Sequence, residues 1–395
     1  MDNLWQMPAI MPVKPRRISS PKPPVCVGCG FVALDLVFEG KEKTQPSFTF
    51  AGGSCGNVLT ILAYLAWDAI PVIRLKDDNE AKQLVADLAR WKVDTRFIHT
   101  EPTGTTPVVV QRICTSINGD PYHRFEWRFP NTGLWLPRYR PLPQRLAIEI
   151  SSKLPKPQVF YFDRVTKSSL FLAAQARADG ALVFFEPSSP DEELFAKGAA
   201  VADILKYSKE RISKPPARIG SARPRLEVQT LGVDGLRYRL SNSGSRKWKW
   251  LPAVPVAGFK DASGAGDWCS AGILQALGRR GRTPFRRASE IGIRKALRYG
   301  QILAAINCLY AGARGSMYQL RRTDLDREAA ALLAAQRLQK NGSDRPTFAG
   351  KQPGPTTASG NGRKAVKPAV IQAPAALVKS RFRPLGSTAA RQRSR

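Results

Sequence analysis

The residues best suited to chemistry in this sequence lie at 261–267, which read DASGAGD. Small residues at Gly264, Ala265 and Gly266 allow three backbone N–H groups to converge without obstruction by side chains. A helix-like apolar run follows at once, so these N–H groups would lie at the positive end of a helix dipole, where anions bind. Asp267 would lie in the first helical turn. Its carboxylate could accept a proton from an alcohol there while the amides stabilise charge on a transferring phosphoryl group.

Taken alone, this motif has a second interpretation. A glycine-rich helix start whose aspartate merely complements the helix dipole would contain the same residues. The choice between the two therefore depends on the elements that surround the motif and on the polar residues that those elements carry.

The surrounding elements alternate between strands and helices. Apolar runs predict strands at 25–38, 71–75, 159–162, 181–187, 203–207 and 226–232. Helical apolar spacing predicts helices at 54–67, where Ser54 could cap the start, and at 79–91, 168–180, 264–277 and 291–310. This βα alternation predicts a parallel sheet layered with helices. Residues 105–115 and 122–129 predict two antiparallel strands that form a small flap outside the main sheet.

The composition restricts the other classes of function. Of the 395 residues 43% are apolar, which excludes a wholly disordered protein. No apolar stretch reaches the roughly 18–20 residues that span a bilayer, so we expect no membrane association. The six scattered cysteines favour a reducing, cytoplasmic location, and Cys26-x-x-Cys29, although spaced like zinc ligands, lies in a predicted strand without a second pair.

The net charge of +31 leaves two interpretations open. It favours anionic partners, such as nucleotides, phosphates or nucleic acid, and contact between a basic C-terminal tail and nucleic acid would fit it. A general arginine bias that keeps the protein soluble explains the charge equally well. The basic, Pro-rich residues 1–24 and the Pro-, Gly- and Ser-rich residues 340–395 are predicted to be disordered.

The motif DASGAGD closely resembles the D-[TS]-x-GAGD signature of the ribokinase-like (PfkB) carbohydrate kinases. The resemblance implies that Asp267 is the catalytic base and that Gly264, Ala265 and Gly266 form the anion hole. Further motifs match in the order of the family over about 290 residues, which is more specific than one motif. The fold expected for residues 25–322 is a three-layer α/β/α sandwich with a small β lid, whose strands lie at about 105–130 and in the N-terminal third.

Two matching segments resemble the part of the family that binds the acceptor. The segment GCGFVALDLVFEG resembles the first strand, whose acidic residue binds substrate hydroxyls, and this residue is Asp35 here. The segment AGGSCGNVLTILAYLAW resembles the second family signature, AGG-x-x-x-N-x-A. It implies substrate contacts at Gly52, Gly53 and Asn57.

The nucleotide side is matched as well. The segment VQTLGVDGLRYRL resembles the T-x-G-x-x-G strand and hairpin of the family, which implies ATP contacts at Thr230, Gly232 and Gly235. Asn307 falls near the position that borders the adenine. The resemblance also implies Mg²⁺ as a cofactor, and K⁺ held near Asp261 as in some relatives.

The chain departs from the family pattern around the metal and the acceptor. The usual N-x-x-E reads Ser208 to Arg211, which replaces the amide and the acid. The usual D-p-N keeps an acid in Glu186 but has Ser188 for the amide, and the G-x-D-x-x-G after the second strand lacks both glycines at 76–81. The identity of the acceptor therefore cannot be inferred from other sugar kinases.

Two hypotheses of different classes follow. The first is an ATP-dependent kinase that phosphorylates a hydroxyl of a small sugar, nucleoside or related polyol, with the lid strands providing the usual homodimer contact. The alternative is a catalytically weakened kinase fold that binds or regulates an anionic partner. The surviving GAGD segment favours the kinase, since a scaffold would not need it.

Overall fold

The computed structural model describes residues 22–39, 45–115, 121–126, 128–214, 223–241 and 247–342. Its strands are β1 Val25–Gly28, β2 Ala33–Glu39, β3 Phe48–Gly52, β4 Asp68–Pro71, β5 Ile73–Lys76, β6 Ile98–Glu101, β7 Val108–Thr115, β8 Pro121–Glu126, β9 Val159–Phe162, β10 Leu182–Phe185, β11 Ile204–Ser208, β12 Leu226–Thr230, β13 Leu236–Leu240 and β14 Lys249–Leu251. Its helices are α1 Ser54–Tyr64, α2 Asn79–Arg90, α3 Gln144–Ser151, α4 Lys167–Ala178, α5 Glu192–Val201, α6 Ala265–Leu277, α7 Arg282–Arg287, α8 Glu290–Asn307, α9 Gly315–Gln319 and α10 Arg322–Gly342.

Eight strands form the main sheet in the order β14-β13-β12-β11-β10-β9-β1-β4. The pairs from β4 to β12 are parallel, and β13 and β14 extend the sheet as an antiparallel hairpin. The predicted parallel sheet and the predicted hairpin are therefore confirmed.

Helices cover both faces of this sheet. The central strands β9 and β10, with the sequences VFYF and LVFF, are buried at every residue, as expected for parallel strands between two helical layers. Alternate residues of β9 enter two separate cores: Tyr161 packs with Trp268 of α6, and Phe160 packs with Leu172 of α4. The predicted three-layer α/β/α sandwich is confirmed.

A second sheet of four strands, in the order β3-β2-β7-β8, lies apart from the main sheet. Its strands β7 and β8 are the predicted antiparallel flap. We call this four-stranded sheet the lid sheet. The N-terminal third, where lid strands were also expected, contributes β2 and β3.

The single strand predicted at 25–38 is wrong, because it divides into β1 of the main sheet and β2 of the lid sheet. The chain leaves the main sheet after Cys29, whose N–H still donates to the carbonyl of Tyr161 at 3.0 Å. At Gly30 a Cβ atom would overlap the carboxylate of Asp163, so only glycine fits this crossing. The strand predicted at 71–75 corresponds to β5, which pairs with β6 in a small third sheet, and shares only Pro71 with β4 of the main sheet.

The predicted helices all exist, with ends that move by a few residues. Ser54 does not cap α1, because the N-cap residue is Gly53 with φ +77° and no side-chain cap. Five helices were not predicted: α3, α5, α7, α9 and α10.

The predicted domain boundary at 322 coincides with the start of α10. Leu325 and Ala329 of this helix are buried against the core. The folded part of the chain therefore extends beyond the predicted boundary. Residues 1–21 and 343–395, which include most of both predicted tails, lie outside the described residues. Within the described ranges, no helix is long and apolar enough to cross a membrane.

Candidate active site

The DASGAGD segment forms a loop that leads directly into α6. Gly264 is the N-cap residue in the left-handed region, with φ +69°, and a Cβ atom on it would overlap the carbonyl of Ala313. Both the conformation and the close approach require glycine. The residues predicted to form the anion site therefore lie at the N-terminus of a 13-residue helix, and their role in binding an anion stays a prediction.

Asp261 and Asn307 fix the loop from behind. The two carboxylate oxygens of Asp261 accept hydrogen bonds from the N–H groups of Ser263 at 2.8 Å and Gly312 at 2.7 Å. The Asn307 side chain donates to the carbonyl of Ser263 at 3.1 Å and accepts from the N–H of Ser316 at 3.1 Å. Both residues hold the loop against the 312–316 turn. The predicted cation site at Asp261 and adenine contact at Asn307 stay predictions.

Asp267 lies in the first turn of α6, and its Oδ2 accepts a hydrogen bond from Asn57 Nδ2 at 2.8 Å. The two predicted site residues, 210 positions apart in sequence, are thus in contact. Burial, followed by the nearby Glu186 charge, raises the pKa of Asp267 to about 7, against the opposing effects of Asn57, Lys206 and Arg211. A carboxyl with such a pKa is suited to proton transfer near neutral pH.

A buried network lies beneath Asp267. Glu186, directly after β10, forms an ion pair with Lys206 of β11 and accepts hydrogen bonds from Tyr161 Oη at 3.2 Å and Ser270 Oγ at 2.5 Å. Lys206 is 1% exposed, and its Nζ would lie 3.9 Å from a Cβ atom built on Gly266. Although burial favours the neutral amine, Glu186 raises the pKa of Lys206, so this group stays charged.

The residues predicted to bind the acceptor lie on the lid sheet and at the start of α1. The Asp35 carboxylate of β2 lies directly against Gly52, where a Cβ atom would overlap it. Burial raises the pKa of Asp35 to about 7, while the Arg314 charge opposes this shift. Among the described residues, Asp35 Oδ1 and Asn57 Oδ1 are buried without a hydrogen-bond partner. Two orphaned acceptor atoms fit a ligand that carries hydroxyl groups.

The predicted nucleotide residues lie at the end of β12 and in the turn that follows. Thr230 pairs with Ser208 of β11 and with Leu236 of β13. Gly232 and Gly235 have φ +61° and +97°, and the turn between them is closed by a hydrogen bond from Leu231 N–H to the Gly235 carbonyl at 2.8 Å. A Cβ atom on Gly235 would overlap the carbonyl of Leu251, so glycine is required there.

The sequence analysis missed two charged pairs near the acceptor side. The buried Asp163, after β9, accepts hydrogen bonds from Phe31 N–H at 2.7 Å and from Arg164 at 3.0 Å. The buried Arg314 binds Asp87 at 2.7 Å and the carbonyl of Ala51, next to Gly52, at 2.6 Å.

The missed residues had a signal in the sequence. Lys206 interrupts the apolar run ILKYS, and Asp163 directly follows VFYF, so the pattern indicates that both lie beside buried strands and need partners. The identity of those partners depends on strands that are distant in sequence, which residue patterns do not show.

Arg211 takes the position of the acid in the family's N-x-x-E pattern. It follows the end of β11 by three residues, and its N–H donates to Ser208 Oγ at 3.2 Å. Its charge favours the ionised form of both Asp163 and Asp267 and so counters the rise in their pKa values. A fixed positive charge thus replaces a negative one at this edge of the site.

The geometry can be compared with known proteins. The sequence profile of the family described as pfkB family carbohydrate kinase matches residues 29–319. The chain belongs to the pfkB family. No curated protein sequence matches this pfkB-family chain.

Solved structures of ribokinase-like kinases have the same fold. The ribokinase of Giardia lamblia is 16% identical, with a TM-score of 0.62, and the match covers 80% of this chain and 100% of that chain. The aminoimidazole riboside kinase of Salmonella enterica, complexed with aminoimidazole riboside and an ATP analog, is 20% identical, with a TM-score of 0.55 and coverage of 77% and 99%. The fructokinase of Vibrio cholerae O395, bound to fructose, ADP and calcium ion, is 19% identical, with a TM-score of 0.55 and coverage of 77% and 98%.

The charges of the site in this pfkB-family chain fit a polyphosphate ligand. The N-terminus of α6 and Arg211 at its edge provide positive charge at one place, and Lys206 beneath them offsets the charge of Glu186. The site fits a divalent metal less well, because both oxygens of Glu186 are engaged by Lys206, Tyr161 and Ser270. In the described part of the chain, no three His, Cys, Asp or Glu residues form a metal-binding group. A Mg²⁺ ion would therefore be held mainly by phosphate oxygens.

Proposed function

We propose that this pfkB-family chain transfers the γ-phosphoryl group of ATP to a hydroxyl group of a small sugar, nucleoside or related polyol. The observation that carries the proposal is the contact of Asp267 with Asn57 at the N-terminus of α6. This contact supports the proposal, because it brings the carboxyl proposed as the base and the amide proposed to orient it to the first turn of α6. Structural neighbours that bind fructose with ADP, or aminoimidazole riboside with an ATP analog, support a small polyol as acceptor and ATP as donor.

In the proposed reaction, Asp35 accepts hydrogen bonds from acceptor hydroxyls through its orphaned Oδ1 and holds the acceptor beside Gly52. Asn57 holds Asp267 in place, and Asp267 takes the proton of the attacking hydroxyl. The hydroxyl oxygen bonds to the γ-phosphorus while the bond from that phosphorus to the β,γ-bridging oxygen breaks, and ADP leaves. The amides at the start of α6 stabilise the charge on the transferring group, and the proton remains on Asp267 until product leaves. A bound Mg²⁺ would neutralise phosphate charge.

The proposal is tested by Asp267→Asn, which keeps the size of the side chain and removes the base. We expect the turnover number for acceptor phosphorylation to fall by about 10²–10⁴-fold, the usual contribution of a general base. ATP affinity, measured by calorimetry, should stay close to that of the wild type. The assay uses ATP with a panel of fructose, ribose and nucleosides, since the acceptor is not identified.

The control is Asp326→Asn on the exposed part of α10, which should leave turnover unchanged. Near-normal turnover of the Asp267→Asn variant would exclude Asp267 as the base. If the wild type phosphorylates no acceptor of the panel but binds nucleic acid with a steep salt dependence, the binding-module alternative is favoured instead.

A further inference from the structure

The network under Asp267 is more elaborate than the fold requires. Three donors on three different elements converge on one carboxylate: Tyr161 from β9, Lys206 from β11 and Ser270 from α6. Glu186 therefore cannot turn away from the site. Its charge is fixed in position.

Helix geometry places this fixed charge next to the base. Ser270 follows Asp267 by three residues on α6, and residues at this spacing lie on the same helix face. The Glu186 carboxylate, at 2.5 Å from Ser270 Oγ, thus lies about one helical turn below Asp267. Lys206 approaches the same turn from the sheet, with its Nζ 3.9 Å from the position of a Cβ on Gly266.

Resting on the proposed kinase reaction, we infer that Glu186, held by Lys206, is a positioning residue whose negative charge keeps Asp267 basic enough to take the proton of the acceptor. Glu186 touches neither phosphate nor acceptor in this role. It acts through Asp267.

The charges that face Asp267 support this direction. Burial is the largest cause of its raised pKa and the Glu186 charge is the next, while the hydrogen bond from Asn57 and the charges of Lys206 and Arg211 oppose them. Tyr161 also interacts with Asp267, and its own burial keeps the phenol protonated. A nearby like charge disfavours the ionised carboxylate and so makes it a stronger base.

Lys206 makes such an arrangement compatible with a phosphate site. An unpaired buried carboxylate would repel ATP and would itself become protonated. Glu186 and Lys206 form an ion pair that is neutral as a whole. Asp267 thus lies near the negative charge of Glu186, while the neutral pair does not repel the phosphates of the nucleotide.

The first test is Glu186→Gln, which keeps the shape of the side chain and one acceptor oxygen and removes the charge. We expect the acid limb of the profile of kcat against pH to move down by about one pH unit, a tenfold change in proton affinity. The kcat on the plateau should fall several-fold, because the base is weaker. A role confined to stability would lower the melting temperature and leave the acid limb in place.

A second variant guards against the unpaired lysine that Glu186→Gln leaves buried. The double variant E186Q/K206M removes the pair together, which is tolerated better than removing one partner. Its acid limb should lie between those of Glu186→Gln and the wild type, because the opposing Lys206 charge is also absent. The matched control is Glu193→Gln on α5, which breaks an exposed Glu–Lys pair, and its acid limb should coincide with that of the wild type.

A readout independent of turnover separates this inference from the kinase proposal. In protein labelled with ¹³C at the aspartate carboxyl, the Asp267 resonance is the one absent from Asp267→Asn, and its titration gives the pKa directly. A lower midpoint in Glu186→Gln supports the inference, whether or not an acceptor has been found. An unchanged midpoint overturns it. A lower midpoint with no phosphorylation by the wild type would leave the coupling intact and remove the kinase assignment.

Discussion

Two carboxyl groups of the site have pKa values far above those of ordinary aspartates. Burial raises the pKa of both Asp35 and Asp267 to about 7. Asp35 must be ionised to accept hydrogen bonds from an acceptor through both oxygens, and Asp267 must be ionised to act as a base. Both groups therefore lose their proposed function as the pH falls through 7.

From these two residues we expect kcat/KM of the wild type to fall steeply below pH 7. Asp35 and Asp267 would each take up a proton as the pH falls. The logarithm of kcat/KM plotted against pH should therefore approach a slope of two. Asp35→Asn removes one ionisation and should reduce the slope to one, while Asp326→Asn should keep it at two. Full activity of the wild type near pH 4, the usual range of aspartate, would contradict the raised pKa values.

The sequence predicted some of these residues better than others. Asp267, Asn57 and Asp35 belong to motifs whose order along the chain is distinctive, and the structure places Asn57 on Asp267. Glu186 was noted as the acid of the altered D-p-N pattern, but no motif predicted its pair with Lys206 or the Asp87–Arg314 pair. Their members come from separate elements, so only the packing of those elements brings them together.

At the scale of elements, the position of α6 depends on its crossing with α8. A Cβ atom on Gly272 would lie 2.7 Å from Gly300 Cα, and one on Gly300 would lie 2.6 Å from the carbonyl of Cys269. The two backbones touch, and the start of α6, which carries Asp267, is held by this contact.

We expect Gly300→Ala to destabilise the protein by about 1–3 kcal/mol, since the added methyl group forces the helices apart. Gly292→Ala on the same helix is the matched control, because the nearest atom to its Cβ is Ser289 Oγ at 3.5 Å. That change should be neutral or stabilising by up to about 1 kcal/mol, as alanine favours helix. Urea unfolding measures both. Equal effects of the two substitutions would exclude a close helix contact.

The predicted elements were correct where the periodicity was strong and the segment stayed in one layer. The central strands β9 to β12 and the helices α2, α4, α6 and α8 were found within a few residues. The division of 25–38 between two sheets was missed, because both halves are apolar and the crossing at Gly30 is required only by the approach of Asp163. Helices α5 and α10 were missed, although they are no less amphipathic than α4 and α6, which were predicted.

At the scale of the whole molecule, the chain after 322 is part of the folded unit. Leu325 is fully buried, Ala329 is 2% exposed, and the Tyr64 Oη donates to the carbonyl of Leu320 at 3.1 Å, next to the start of α10. Removal of α10 would expose the apolar surface of α8 that it covers.

Two truncations test this boundary. A chain that ends at 321 should lose at least about 3 kcal/mol of stability, the usual cost of removing one buried leucine and its neighbours. A chain that ends at 342 should melt like the full chain, since the composition of 343–395 is unsuited to a core. Thermal unfolding compares the three. Equal melting temperatures for the full chain and the chain that ends at 321 would show that α10 adds no stability.

The separation of the two sheets has a consequence for how the proposed reaction distinguishes an acceptor from water. Asp35 comes from the lid sheet, whereas Asp267 stands on a helix of the main sandwich. A polyol can bind to the two carboxylates through different hydroxyl groups. A water molecule has a single oxygen and cannot bind to both carboxylates. In the proposed reaction, the two carboxylates therefore select a polyol over water, because only the polyol extends from one to the other. We accordingly expect slow hydrolysis of ATP by water when no acceptor is bound.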